Sequence, residues 1–351
     1  TFIENINVFS RHFQDNIKIK SEISKKCKEC EFKTLPDQET KGMKSGFKEC
    51  WKENLQWIDN DFNTPTVLEL ANFRKTNALI KDGKIKLSEL TKEDIGYIAS
   101  SSSKMTTVER QWLQIESAIS KNPRSYFDAE SMKREMETWT YPLHFIDFET
   151  SANAIPFFKG MRPYEGIAFQ FSHHTVYEDG QIEHAHQYLN TTPGQFPNFE
   201  FIRQLKSALG TDNGTISRYS THENAFLNTI LKQLSSTIET DKEELTLFIK
   251  SITEYSKNTK TTWSGERKMV DQLKLVKHYY FHPDTKGSNS IKHILPAILN
   301  DSEFLKEKYS KPIYGSKQIR SHNFKNKSWV KFDAMGKVID PYKQLDKLLI
   351  N

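Results

Sequence analysis

Residues 143–149, LHFIDFE, limit what this chain can become more than any other stretch. The run is short, apolar and β-prone, so it reads as a buried strand, and it ends in Asp147-Phe148-Glu149. Residues i and i+2 of a strand share a face, so Asp147 and Glu149 project together at or just past the strand end. Two like charges held that close repel unless a cation lies between them. Oxygen ligands of this kind suit Mg²⁺ or Mn²⁺. The bland alternative is a pair of surface acids on a solvated strand end, since short motifs match by chance often.

The chain has 351 residues, enough for one large domain or two ordinary ones. With 36% hydrophobic, 27% charged and 12% aromatic residues, it is globular rather than disordered. No apolar run is long enough to span a bilayer, and the first residues lack a secretory pattern. The three cysteines all precede residue 51, an odd clustered set that argues against a disulfide framework. A cytoplasmic, non-membrane protein is expected. A net charge of +5 permits an anionic partner without demanding one. The absence of an initiator Met and of an obvious C-terminal end signal suggests a piece of a longer protein. Nothing in the sequence fixes an oligomeric state.

Three segments are expected: a cysteine segment at 1–64, a helical connecting region at 65–140 and an α/β domain at 141–351. Residues 1–26 read as polar helix and 27–51 as a cysteine-bearing loop. Helical patterns follow in TVLELANFRKTNALI and in TTVERQWLQIESAIS, where Val108, Trp112 and Ile115 recur at helical spacing and SSSK (101–104) supplies an N-cap region. From Tyr141-Pro142 the character changes. GIAFQFSHHTVY and IEHAHQYL flank Asp179-Gly180 as a hairpin. FEFIRQLKSAL reads as a helix, GTISRYS as a strand, and HENAFLNTILKQL, MVDQLKLVKHYY and SIKHILPAIL as helices. Strands first, then strands alternating with helices, imply a mixed sheet covered by helices.

Other residues can join the acid pair. GTISRYS runs into Thr221-His222-Glu223 at a helix start, where Glu223 could present a further ligand from a neighbouring strand end or simply complement the helix dipole. Asp271 begins another helix and carries the same two readings. His222 could contact a phosphate or orient water; capping and packing compete. Arg162 and Tyr164, in the loop after the acid strand, could hold a phosphate or stack a terminal base, against a rigid Pro-containing turn. His173, His174, His184 and His186 lie on the hairpin; adjacent 173 and 174 face opposite ways, which favours ordinary packing over a metal site. Lys, Arg and aromatics interleave over 305–331, as on nucleic-acid-contacting surfaces and as on many solvated basic segments.

Four blocks, HFIDFET…AIPFFKGMRPYEGIAFQFSHH, RYSTHENAFLNTI, VDQLKLVKHYYFHPDTKGSNSIKHILPAIL and IDPYKQL, occur in the order seen in the DUF2779 family, and the resemblance covers roughly 141–345. That family is uncharacterised, and its core resembles DEDD 3′–5′ exonucleases with a ribonuclease H-like fold. The resemblance implies a two-metal hydrolysis of phosphodiester bonds in DNA or RNA, with paired ions about 3.5–4 Å apart. Asp147 and Glu149 then match the first exonuclease motif. Glu223 stands where an Asp is usual, a departure that loosens the geometry, and Asp271 is a further candidate acid. The last acid of the family, in a Tyr-Cys-x-x-Asp-Thr-like segment, has no counterpart here. A catalytically weak nucleic-acid-binding module is the rival reading. CKECEFK…KSGFKECW is similar to the C-terminal cysteine cluster of Cas4-like and AddB-like nucleases. That similarity implies that 1–64 is the end of such a domain. It also implies that Cys27, Cys30 and Cys50 ligate a 4Fe–4S cluster with a fourth, upstream cysteine; a Zn²⁺ site and three reduced thiols stay open.

Overall fold

The computed structural model describes residues 1–120, 124–258 and 260–345. The last six residues of the domain expected at 141–351 lie outside the described residues. The chain forms two compact units, Thr1–Arg124 with Pro283–Ser288, and Ser125–His282 with Asn289–Asn351.

The first unit opens with helix α1, Phe2–Gln14, started by a Thr1/Glu4 capping box. The helix expected over 1–26 therefore stops halfway, with Asn16 in the left-handed region. The segment expected as a loop at 27–51 is partly helical: Cys27 sits in a 3₁₀ turn, Lys25–Glu29, and Cys50 on α2, Gly46–Leu55. Trp51 of α2 is buried and packs edge-on against Trp57. TVLELANFRKTNALI is not one helix. It makes a 3₁₀ turn at Val67–Glu69, a left-handed Asn72 and helix α3, Thr76–Lys81. Helix α4, Thr107–Ser120, gives the reason. Its Gln111 donates to the Ala71 carbonyl at 2.6 Å, and its Gln114 accepts from the Ala71 amide at 3.0 Å. Those backbone groups are paired without a helix. Ile115 of α4 is fully buried with Val67, Leu70, Leu79, Leu87 and Leu90.

In the second unit the α-helices and the strands of the main sheet run α5 (Ala129–Met136), β1 (Leu143–Ser151), β2 (Ile167–Val176), β3 (Ile182–Leu189), α6 (Asn198–Leu209), β4 (Ile216–Arg218), α7 (His222–Leu234), α8 (Lys242–Ile252), β5 (Val270–Asp271), α9 (Gln272–Tyr279), α10 (Ile291–Asp301), α11 (Glu303–Ser310) and β6 (Ile319–Arg320). Among the described residues the main sheet has six strands in the order β6–β3–β2–β1–β4–β5. β1, β2 and β3 form an antiparallel meander, and β4 and β5 continue beyond β1 as parallel strands. The expected mixed sheet flanked by helices is thus what the chain builds. The Asp179-Gly180 turn closes the β2–β3 hairpin, with Gly180 at φ 83° and the Asp179 carboxylate accepting from the Gln181 amide.

The sheet's two faces differ. Ile146 and Phe148 of β1 and Phe171 of β2 pack against Phe201 and Leu205 of α6, Leu227 and Ile230 of α7 and Ile249 of α8. Alternation along β1 therefore sends Asp147 and Glu149 to the opposite, open face. On that face Phe145 lines an apolar cavity of about 800 Å³ with Trp139, Tyr219, Leu275, Ile294 and Ile298.

Candidate functional site

Three elements meet at one end of the sheet. β1 delivers Asp147 and Glu149, both solvent-exposed and both within the strand rather than at its expected end, since pairing with β2 carries β1 on to Ser151. Parallel β4 ends in Arg218 and passes through Ser220 into α7, whose first turn carries His222 and Glu223. β5 ends at Asp271, which caps α9.

Glu223 is the site's anomaly. It is 2% exposed, and its Oε2 has no hydrogen-bond partner among the described residues. Burial, with the nearby charges of Asp147 and Asp271, pushes its carboxyl up to about 7, and Arg218 opposes the shift. Asp147 moves the same way: although its side chain reaches solvent, the protein packed around it raises its carboxyl, with His222 offsetting part. His222 Nε2 lies 3.2 Å from Thr150 Oγ1, and its ring packs on Phe226.

Asp271 is engaged. Its Oδ1 accepts from the Ser220 and Leu273 amides at 2.9 and 3.0 Å, and its Oδ2 lies 3.5 Å from buried Arg218. Arg218 Nε and Nη1 have no hydrogen-bond partner among the described residues. Ser220, between Arg218 and Glu223, holds φ 77°, a costly conformation for a residue with a Cβ. Asp271 therefore pins the strained turn from which Glu223 is presented. Asp147, Glu223 and Asp271 thus form one electrostatic group, with Glu149 beside it on β1. Even so, among the described residues no three His, Cys, Asp or Glu side chains stand close enough together to hold a metal ion as they are.

Arg162 and Tyr164 make their contacts within the loop that follows β1. The Arg162 amide donates to Glu165, and the Tyr164 amide to the Asn153 carbonyl. The hairpin histidines divide between the two faces, as adjacency requires. On the core face Asp212 accepts from His144 Nε2 at 2.8 Å. His144 Nδ1 lies 2.9 Å from His173 Nε2, and His173 Nδ1 lies 3.2 Å from His186 Nδ1. Each imidazole fixes the tautomer of the next, since a nitrogen opposite an acceptor must carry the proton. Burial and the neighbouring rings push His173 down to about 3. On the other face His174 Nε2 meets Tyr314 Oη at 2.7 Å and stacks on His184. The part played by His144 and Asp212 escaped the sequence reading: they lie outside the hairpin, and only the fold brings them to it.

In the first unit the three cysteines are free, half-buried thiols packed beside Phe47 and Trp51. The Ser24 amide donates to Cys27 Sγ at 3.5 Å, and Asn54 Nδ2 to Cys50 Sγ at 3.6 Å. Burial, with Cys27 and Cys30 nearby, raises the Cys50 thiol. No helix among the described residues is long and apolar enough to cross a membrane.

Fold and site define an α/β protein in which a mixed sheet gathers carboxylates from within its central strand β1 and from just past its parallel neighbour β4 and the end of β5. Residues 144–290 match the family described as a domain of unknown function, DUF2779. That span takes in all four acids and none of the cysteines. No curated protein and no solved structure matches the chain.

Proposed function

We propose that the second unit is a metal-dependent nuclease of the DEDD 3′–5′ exonuclease type, hydrolysing phosphodiester bonds of DNA or RNA. The observation that carries this reading is Glu223, a buried acid with an oxygen that has no hydrogen-bond partner among the described residues, beside the exposed acid pair. An unpaired buried carboxylate is costly, and a cation shared with Asp147 removes both the desolvation and the repulsion. This reading assigns Asp147, Glu149 and Glu223 as ligands of Mg²⁺ or Mn²⁺, and the ion would have to draw them together, since as they stand no three described side chains are close enough to hold it. When bound, such ions lower the pKa of water and offset charge on the leaving oxygen. The chain's own contribution is positional: the paired strand β1 fixes Asp147 and Glu149, the Ser220 turn fixes Glu223, and His222 places a polar ring beside Asp147. An antiparallel meander continued by parallel strands also agrees with a ribonuclease H-like sheet.

A second reading is a nucleic-acid-binding module with a degenerate site. The observation favouring it is Asp271, whose oxygens are occupied by backbone amides and Arg218. For the first unit we propose that Cys27, Cys30 and Cys50 ligate a 4Fe–4S cluster or Zn²⁺ with a ligand from elsewhere. Visible absorption of anaerobically purified protein separates the two. The nuclease reading is tested with 5′-labelled single-stranded DNA and RNA and Mn²⁺, comparing the chain with its Asp147→Ala form. Shortening from the 3′ end that Asp147→Ala abolishes supports it. Binding without cutting in both supports the binding module.

A further inference from the structure

We infer that the loop 152–166 is a stacking platform for unpaired bases, so that the site takes a single-stranded end and not a duplex. The inference rests on the nuclease reading, and it concerns residues that the acid site does not use.

The loop leaves β1 directly after the acid pair and returns as β2, so it rises at the same end of the sheet. Three large apolar side chains on it face solvent: Ile155 at 79% exposure, Phe157 at 68% and Tyr164 at 70%. Such a concentration on a short loop marks a contact surface rather than scattered exposure. The loop is nevertheless held at its base. Phe158 packs edge-on against Phe196, Gln233 donates to Glu165, and the Phe226 ring lies so close to Gly166 that a Cβ there would meet it at 2.8 Å. Tyr164 sits at φ 61°, rare for a bulky residue, with its amide on the Asn153 carbonyl. The backbone is thus constrained while the rings point out.

The charges on the loop select the occupant. Lys159 and Arg162 are exposed among the rings. Rings alternating with cations suit a strand whose bases stack while its phosphates are neutralised. A paired end keeps its bases stacked on one another and offers these rings nothing.

The test is binding, measured without cleavage. The 351-residue chain in EDTA is titrated into fluorescein-labelled dT15 and into a blunt duplex, with anisotropy as the readout. Single strand is expected to bind at least about tenfold more tightly than duplex, and Phe157→Ala and Tyr164→Ala each to weaken it about tenfold, the scale of one stacked base. Phe157→Trp should retain affinity. An oligonucleotide with abasic 3′ nucleotides should bind wild type as weakly as dT15 binds Phe157→Ala, with no further loss in that variant. Equal binding of duplex, or unchanged affinity in both alanine variants, overturns the platform and leaves the nuclease reading to the Mn²⁺ assay. Binding of neither oligonucleotide overturns the platform and assigns the exposed rings to a protein partner. Both side chains are solvent-exposed, so circular dichroism should show the alanine variants folded as wild type.

Discussion

Acidification should weaken the fold of the second unit through His173. This imidazole is 1% exposed, and burial with the neighbouring rings pushes it from 6.5 down to about 3. Below pH 6.5 the unfolded chain binds a proton that the native chain refuses, so stability falls as pH drops from 6.5 toward 3. By linkage the loss reaches about 2 kcal/mol at pH 5 relative to pH 8. Against a typical stability of about 5–15 kcal/mol, that is a large fraction. The bonding pattern agrees with the direction: both His173 nitrogens are spoken for, and protonating Nδ1 would set it against the His186 Nδ1 proton. The other groups around it are His144, Thr175, Asp212 and, beyond Asp212, Arg267. Glu223 acts in the opposite sense, since its raised carboxyl takes up a proton as pH falls through 7 and strengthens the fold. His174, pushed down to about 4, and His144, also lowered by burial, act in the same sense as His173, so wild type shows a balance of opposing slopes and a variant isolates one. His173→Gln keeps a donor for His144 and removes the titration. Urea midpoints at pH 8 and pH 5 should separate more in wild type than in His173→Gln, by about 2 kcal/mol after conversion with m. Equal separations, or a His173 NMR titration near 6.5, would refute the reasoning.

Other outcomes follow from the same geometry. Glu223→Gln should stabilise the metal-free protein at pH 8 by about 2–3 kcal/mol, because it deletes a buried charge whose carboxyl is held near 7, and should abolish Mn²⁺-dependent cleavage; urea melts and the nuclease assay check the two halves. Arg218→Met should cost about 3 kcal/mol by leaving Asp271 and Glu223 buried without their cation, read as a fall in thermal midpoint. Ser220→Gly should gain about 1 kcal/mol, since φ 77° suits glycine. Cys50, with its raised thiol, should react with iodoacetamide at pH 8 more slowly in the folded chain than in urea.

Where hydrophobic pattern and turn chemistry decide structure, the sequence was readable. The β2–β3 hairpin, α7 and α4 follow from alternation, Asp179-Gly180 and helical spacing. The shared outward face of Asp147 and Glu149 was legible because the strand period puts residues two apart on one side. What escaped depends on partners distant in sequence. The 66–80 run has helical spacing, yet its backbone is claimed by Gln111 and Gln114 some forty residues on. The two-residue strand β5 carries no periodicity at all; it exists because Val270 and Asp271 pair with β4. Arg218 gave no signal, being one basic residue in a strand, and only burial beside Glu223 and Asp271 reveals its role. The fourth block, IDPYKQL, sits in a 3₁₀ turn at Pro341–Gln344, and the residues after 345 lie outside the described chain.

One irregularity in the sheet bears on how the protein can change over generations. Glu149 pairs with Gln170 while Thr150 pairs with Ala168, so the spare residue, Phe169, belongs to β2 and not to the strand of acids. A length change in the 152–166 loop can be absorbed by sliding that spare residue along β2, with β1 undisturbed. Asp147 and Glu149 then keep their outward aim whatever the loop's length. A change of loop length leaves β1 in register, whereas one residue inserted before Asp147 would turn both acids into the core.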